Sequence, residues 1–341
     1  MVEPLNKLKM ELVKDGVSVL VLTGLGGSGK SILAKKRCWH PQIKGKFGGN
    51  IFFVTVSYNP NLKNIIQTLF EHCGCRVPEF QTDEEAVTRL RLLLRRFGRK
   101  PILLVLDYVW PNPEGFVEKF KFQMLDYKIL VTSRVAFRRF GTPCQLDPLD
   151  YGPAESLFHH FAQLNHNSSY MPDQNLVREI VRACKGSPLA LQVIAGSLCQ
   201  QPFEKWKNMK EFLQSQSILE FNITTINLLC FLQQSLDILE DINQKECFMD
   251  MGFFPEDQRI PVTVLIDMWA EDGIKAMAIV HDLITRNLIN VIATRKVATE
   301  TGLNELSGAG KIKNIHFVEQ GLRELASLKV EEAFGSCFGS T

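Results

Sequence analysis

No run of apolar residues approaches the ~20 that a membrane-spanning helix requires; the longest is about the size of Ile102-Leu103-Leu104-Val105-Leu106. A charged-then-apolar leader is also missing from the start, so the sequence predicts an intracellular, cytoplasmic protein with no direct membrane segment. Excess charge of one sign is missing too. Lys+Arg 39 against Asp+Glu 37 leaves +2, too balanced to hold nucleic acid or an anionic membrane by net charge. Nine cysteines, Cys38, Cys73, Cys75, Cys144, Cys184, Cys199, Cys230, Cys247 and Cys337, include no C-x-x-C pair and no histidine pair of zinc spacing. They read as reduced core thiols. No repeat with a period of roughly 20 to 50 residues occurs, which excludes a solenoid.

What remains is ample for folding. The 341 residues are 45% hydrophobic and 22% charged, the composition of a globular chain of two or three compact units. Leu5, Leu8 and Leu12 lie at helical spacing, and Asp15-Gly16 turns the chain into an apolar strand, Val17 to Leu22. Strands over Ile51–Val56, Ile102–Leu106 and Lys128–Thr132 then alternate with helices around Leu62–Leu69 and after the capping box Thr82-Asp83-Glu84-Glu85. That alternation predicts an α/β parallel sheet with helices on both faces over residues 1–150.

Past Asp150 the pattern changes to successive helices. One carries Leu157, Phe158, Phe161 and Leu164, the next Leu176, Ile180, Val181 and Cys184. Gly186 ends the second, and Pro188 opens a third that runs to about Cys199. A helical block over 222–289, followed by strands at Leu288–Thr294 and Lys296–Thr299, suggests a winged helix. The expected domains are thus a sheet unit over 1–150, a helical unit over 151–215, a winged helix over 216–330 and an unassigned tail over 331–341.

Gly24-Leu25-Gly26-Gly27-Ser28-Gly29-Lys30-Ser31 fills every fixed position of G-x-x-x-x-G-K-[ST], directly after a predicted strand and before a helix beginning near Ile32. Glycines are needed because backbone N–H groups must turn inward around a β-phosphate, where a side chain would block approach. The helix N-terminus adds partial positive charge, Lys30 reaches the β/γ oxygens, and the Ser31 hydroxyl is placed to ligate Mg²⁺. The chemistry calls for a second, acidic ligand on a neighbouring strand, and the strand ending in Asp107 supplies it. Tyr108 follows, where a hydrolytic enzyme wants a carboxylate; a phenol with a pKa near 10 is a poor base, so ATP hydrolysis is expected to be weak at most. Arg134 ends the strand Lys128–Ser133, and taken alone it reads as a solvated arginine.

Taken in order, these blocks resemble the NB-ARC nucleotide-binding region of plant NLR (nucleotide-binding leucine-rich-repeat) immune receptors. The likeness runs over roughly 1–330 and includes Ile51–Ser57, Leu103–Trp110, Lys128–Arg134, Gly186-Ser187-Pro188-Leu189-Ala190-Leu191 and Cys247–Asp257. The wording is most similar to the helper subclass with a powdery-mildew-resistance-type N-terminal domain. The resemblance implies a P-loop NTPase fold followed by a helical domain and a winged helix. It implies a switch between an ADP-bound resting state and an ATP-bound, self-associated state. Its cofactor-binding residues would be Gly24, Gly26, Gly27, Ser28, Gly29, Lys30, Ser31, Ile32, Arg134 as a γ-phosphate sensor, and Pro188 with Leu189 against the adenine; Ser31 and Asp107 would hold Mg²⁺. Lipase-like immune heterodimers enter as partners by resemblance only, and no nucleic-acid partner is expected.

The chain departs from that pattern in four ways. Tyr108 replaces a second acidic residue. The stretch between Trp269 and Gly273 is short. The late His-Asp signature is replaced by Phe317-Val318-Glu319-Gln320-Gly321. Neither the N-terminal signalling domain nor leucine-rich repeats accompany it. Val280-His281-Asp282 is not a substitute signature, because it lies in a helix-spaced run with Met277, Ile284 and Leu288. The alternatives are a degenerate relative without switching, a P-loop kinase or hydrolase, and a winged-helix DNA-binding regulator. Lys275, His281 and Arg286 offer only a sparse basic face for the last of these.

Overall fold

The computed structural model describes residues 2–14, 16, 18–56, 60–97, 100–110, 114–164, 172–219, 239, 241–254, 260–269, 273–286, 288–294 and 312–317. The chain divides into two compact units, Met1–Asp147 and Pro148–Thr341.

The first unit opens with α1 (Val2–Val13) and β1 (Ser18–Thr23), followed by α2 (Lys30–Cys38), α3 (Pro41–Phe47) and β2 (Ile51–Thr55). Helices α4 (Leu62–His72) and α5 (Asp83–Arg95) lead to β3 (Ile102–Val109), then α6 (Glu114–Glu118), β4 (Tyr127–Ser133) and β5 (Cys144–Gln145). All pairings are parallel, in the order β2-β3-β4-β1-β5. As expected, helices cover both faces: Leu33, Ala34, Ile43 and Phe47 meet Leu22, Leu103, Val105 and Leu130 on one, while Ile66, Leu69, Leu90 and Leu94 meet Val21, Val54, Leu104 and Leu106 on the other. Strands buried on both faces explain the unbroken apolar runs.

Several local expectations need correction. The acidic strand is not beside β1, because β4 lies between β3 and β1. It also does not stop at Leu106, but continues past a register shift to Val109. The capping box is displaced by one residue: Thr82 accepts from the Glu85 N–H at 3.1 Å, but Glu85 Oε2 accepts from the N–H of Gln81, not Thr82. Helix α3 and the two-residue β5 carry no strong sequence pattern and are additions to the expected elements.

The second unit contains α7 (Tyr151–Phe161), α8 (Gln174–Ala183), α9 (Pro188–Leu198), α10 (Phe203–Leu219), α11 (Ile242–Asp250), β6 (Ile260–Pro261), α12 (Val262–Trp269), α13 (Gly273–Thr285), β7 (Ile289–Thr294) and β8 (Ile312–Phe317). Helix α9 is apolar all round because it serves two cores: Ala190, Leu191, Ile194 and Leu198 pack with Phe158, Ile180 and Trp206, while Leu189 and Val193 pack with Phe248, Leu265 and Leu283. Among the described residues, the strand that pairs with β7 is β8, antiparallel, with β6 on its other edge. The predicted strand Lys296–Thr299, residues 270–272, the signature positions Gln320 and Gly321, and the tail 331–341 lie outside the described residues. On α13, His281 is exposed and Asp282 accepts from Gln244 Nε2 at 2.8 Å. The inward row is Ala276, Val280 and Leu283, whereas Met277 is exposed.

Candidate nucleotide site

The loops that leave the carboxyl ends of β1, β3 and β4 carry the candidate residues, the edge of an open parallel sheet where ligands bind. After Thr23 the chain makes the turn Gly24–Gly29, with Gly27 at φ 67 and Gly29 at φ 86, left-handed conformations that favour glycine. Gly24 is fixed by space as well: a Cβ there would lie 2.9 Å from both Leu146 O and Ser28 Oγ. The Ser28 N–H donates to Leu25 O at 3.2 Å and closes the turn.

Helix α2 starts at Lys30 with Gly29 as its N-cap. No side chain caps that end, and its first turn holds no acidic residue. Uncapped N–H groups and the helix dipole make this end a receptor for an anion. Lys30 Nζ donates to Gly24 O at 2.9 Å and Leu25 O at 2.7 Å, so the cation is drawn over the loop that would hold the phosphates. Ser31 occupies the first turn, half-buried, and Ile32 beside it is 65% exposed.

Asp107 is buried at 4% exposure. Thr132 on β4 donates its hydroxyl to Asp107 Oδ1 at 2.6 Å and accepts from the Tyr108 N–H at 2.8 Å. Tyr108 itself is left-handed, with φ 64, rare for a bulky residue. This backbone kink coincides with the register shift in β3. The Tyr108 ring meets Trp110 edge-on at 5.4 Å, and the Arg134 guanidinium lies 4.7 Å from the centre of the Trp110 ring. Arg134 is therefore half-buried beside an aromatic pair, not a solvated strand-end cation. No sequence pattern signals Thr132 or Trp110 as members of this cluster.

Pro188 and Leu189 belong to the second unit. Pro188 is the first residue of α9, capped by Ser187, whose side chain accepts from the Ala190 N–H at 3.4 Å. The Leu189 side chain is 2% exposed within that unit's core.

Mg²⁺ suits hard oxygen donors and is commonly held by one or two carboxylates with substrate phosphates and water. The Asp107 carboxylate and Ser31 hydroxyl are donors of that kind. No group of three or more His, Cys, Asp or Glu side chains that could hold a metal occurs among the described residues. No helix among them is long and apolar enough to cross a membrane.

Comparison with known proteins identifies the domain that carries these residues. Residues 2–137 match the NB-ARC domain family. The chain is 40% identical over 295 residues to the probable disease resistance protein At5g66900 of Arabidopsis thaliana, covering 85% of this chain and 36% of that protein. Over 313 residues it is 36% identical to the probable disease resistance protein At5g66910 of the same plant, covering 89% of this chain and 38% of the relative. It is also 28% identical over 278 residues to the disease resistance protein ADR1 of A. thaliana, covering 80% and 32% respectively. The chain thus spans about a third of the length of these relatives. Among solved structures, a signal transduction ATPase with numerous domains from Pyrococcus horikoshii, carrying a tetratricopeptide repeat sensor, aligns with a TM-score of 0.53 at 15% identity. That alignment covers 94% of this chain and 41% of that one and supports the fold alone. Residues 2–137 are therefore an NB-ARC domain, and the chain is similar over most of its length to plant disease resistance proteins.

Proposed function

We propose that this region is an adenine-nucleotide switch of a helper-type plant disease resistance protein, resting with ADP and self-associating with ATP. The observation that carries this is the complete phosphate loop, Gly24 to Ser31, seated on the uncapped end of α2. In this reading the loop N–H groups and Lys30 hold the β- and γ-phosphates, Ser31 and Asp107 hold Mg²⁺, and Ile32 borders the nucleotide. Arg134 senses a γ-phosphate, and Pro188 and Leu189 are assigned to the adenine by family likeness alone. Bound Mg²⁺ would offset phosphate charge. Tyr108 offers no efficient base, so turnover is slow and the bound nucleotide persists as a state. The second unit divides near residue 215 into helical and winged-helix parts, with 331–341 unassigned. Lipase-like heterodimers and a cytoplasmic location follow from family likeness.

The test is to denature the purified protein and identify the released nucleotide by chromatography. ADP or ATP at near one per chain is expected, with a much lower yield from Lys30→Ala, which lacks the charge-assisted contact. Such contacts contribute about 1.5–3 kcal/mol, or roughly tenfold or more in affinity. No released adenine nucleotide, or an equal yield from the variant, would overturn the proposal.

A further inference from the structure

Helix α2 has two chemically distinct ends. Its first residue is Lys30, in the phosphate loop, and its last turn holds Lys35, Lys36 and Arg37. Beside that second end lies a cavity of about 470 Å³, bounded by α2, α3 and the edge strand β2, and lined by none of the candidate nucleotide-binding residues. Its size falls within the roughly 300–1,000 Å³ of small-molecule sites.

The lining is apolar at the base and cationic at the rim. Ile51 and Phe53 of β2 are only half-buried, because β2 is the sheet edge. Trp39 at the end of α2 is 69% exposed, unusual for a side chain with so much apolar surface. Lys44 Nζ stands 3.8 Å from the centre of the Trp39 ring, and Lys35 Nζ 5.2 Å from that of Phe53. Neither lysine forms an ion pair among the described residues. From Gly16 to Phe70 the sequence holds no Asp or Glu at all, so no carboxylate of that segment is available to them. Gly48 and Gly49 keep part of the lining open: a Cβ at either would meet no heavy atom within 4 Å.

We propose that this cavity binds a small amphipathic anion, with a flat or compact apolar body against Trp39, Ile51 and Phe53 and a carboxylate or phosphate on the ammonium groups of Lys35 and Lys44. Two cations held over aromatic faces above an apolar base are complementary to that ligand and poorly matched to a neutral or cationic one. The inference is independent of the nucleotide assignment.

The full chain is titrated by calorimetry with 2-naphthoate, 2-naphthyl phosphate and the neutral 2-naphthylmethanol, each with and without saturating ADP. Both anions are expected to bind, with the alcohol at least fivefold weaker, and ADP is expected not to displace them. The double variant Lys35→Gln/Lys44→Gln should weaken the anions about tenfold while leaving the alcohol unchanged; both lysines are exposed, and circular dichroism checks the fold. Trp39→Ala should weaken all three. The relative affinities of the carboxylate and the phosphate identify the preferred head group. The proposal is overturned by absent binding, by anion affinity unchanged in the double variant, by equal affinity for the alcohol, or by displacement with ADP, which would place the probes in the phosphate loop.

Discussion

The hydroxyl of Thr132 donates to Asp107 Oδ1 at 2.6 Å, so the buried carboxylate at the sheet's ligand edge is oriented from the neighbouring strand. The Thr132 hydroxyl oxygen in turn accepts from the Tyr108 N–H. Thr132→Val keeps the shape and removes both bonds, and the loss at the buried Asp107 oxygen alone costs about 1–3 kcal/mol. Its urea-unfolding midpoint should fall clearly below that of Thr132→Ser, which retains the hydroxyl. Equal midpoints would show that the hydroxyl does not anchor this corner.

Tyr108 sits in a left-handed conformation that Asp and Asn adopt more readily than aromatic residues. Tyr108→Asp therefore fits the backbone as it stands and supplies a carboxylate where Tyr supplies none. General-base help is worth about 10²–10⁴ in rate, and single-turnover ATP hydrolysis should rise toward that range, with Tyr108→Phe unchanged. A parent protein already turning over at about 1 s⁻¹ or faster, or an inert Asp variant, removes this explanation of slow hydrolysis.

Gly186 has φ 71, and a Cβ there would lie 2.3 Å from Leu149 O and 2.8 Å from Leu149 N. Its carbonyl also accepts from the Leu149 N–H at 2.8 Å. The left-handed backbone alone costs Ala about 1–2 kcal/mol, and the clash is with backbone that has no rotamer to change. Gly186→Ala should lower the melting temperature by several degrees or abolish soluble expression, whereas Gly45→Ala, whose Cβ meets nothing within 4 Å, should not.

His40 caps α3 by accepting from the Gln42 N–H at its Nδ1, 3.3 Å away. Its pKa lies below the ordinary 6.5, first through desolvation and then through Lys9 and Arg37. The unfolded chain thus binds this proton more readily, so the stabilisation is full above about pH 6.5 and is lost as pH falls through that value toward the lower folded one. Melting temperatures between about pH 5 and 7.5 should show this loss, and His40→Asn, which keeps an acceptor but does not titrate, should flatten it. An identical slope in both proteins would place the pH dependence elsewhere.

The phosphate loop is legible in the sequence because each fixed position answers a chemical demand: glycine for backbone approach, lysine for charge, serine for a metal. The double-sided sheet is legible for a related reason, since only strands covered on both faces read as aliphatic runs without polar alternation, as in Ile102 to Leu106. Features set by distant partners are not. β5 is two residues long and exists because Leu22 and Thr23 pair with it. β7 pairs with Ile312–Phe317, and nothing local in the sequence announces so distant a partner. The left-handed turn at Tyr108 carries no marker either, since an aromatic residue gives no hint of positive φ. Arg134 reads as solvent-facing until its neighbour Trp110 is in place.

The strand order has a consequence for how the chain is made. β1 carries the phosphate loop, yet its sheet neighbours are β4 and β5, and its first pairing joins Ser18 to Lys128. At roughly 5–20 residues per second, a ribosome needs on the order of 5–20 s to bring out that partner. Throughout this interval Val19, Leu20, Val21 and Leu22 have no strand to lie against, and both backbone edges of β1 are open to wrong pairing. The segment that carries the phosphate-loop motif is thus translated well before its strand partner and secured late, which makes nascent chains halted before Lys128 natural clients for chaperones.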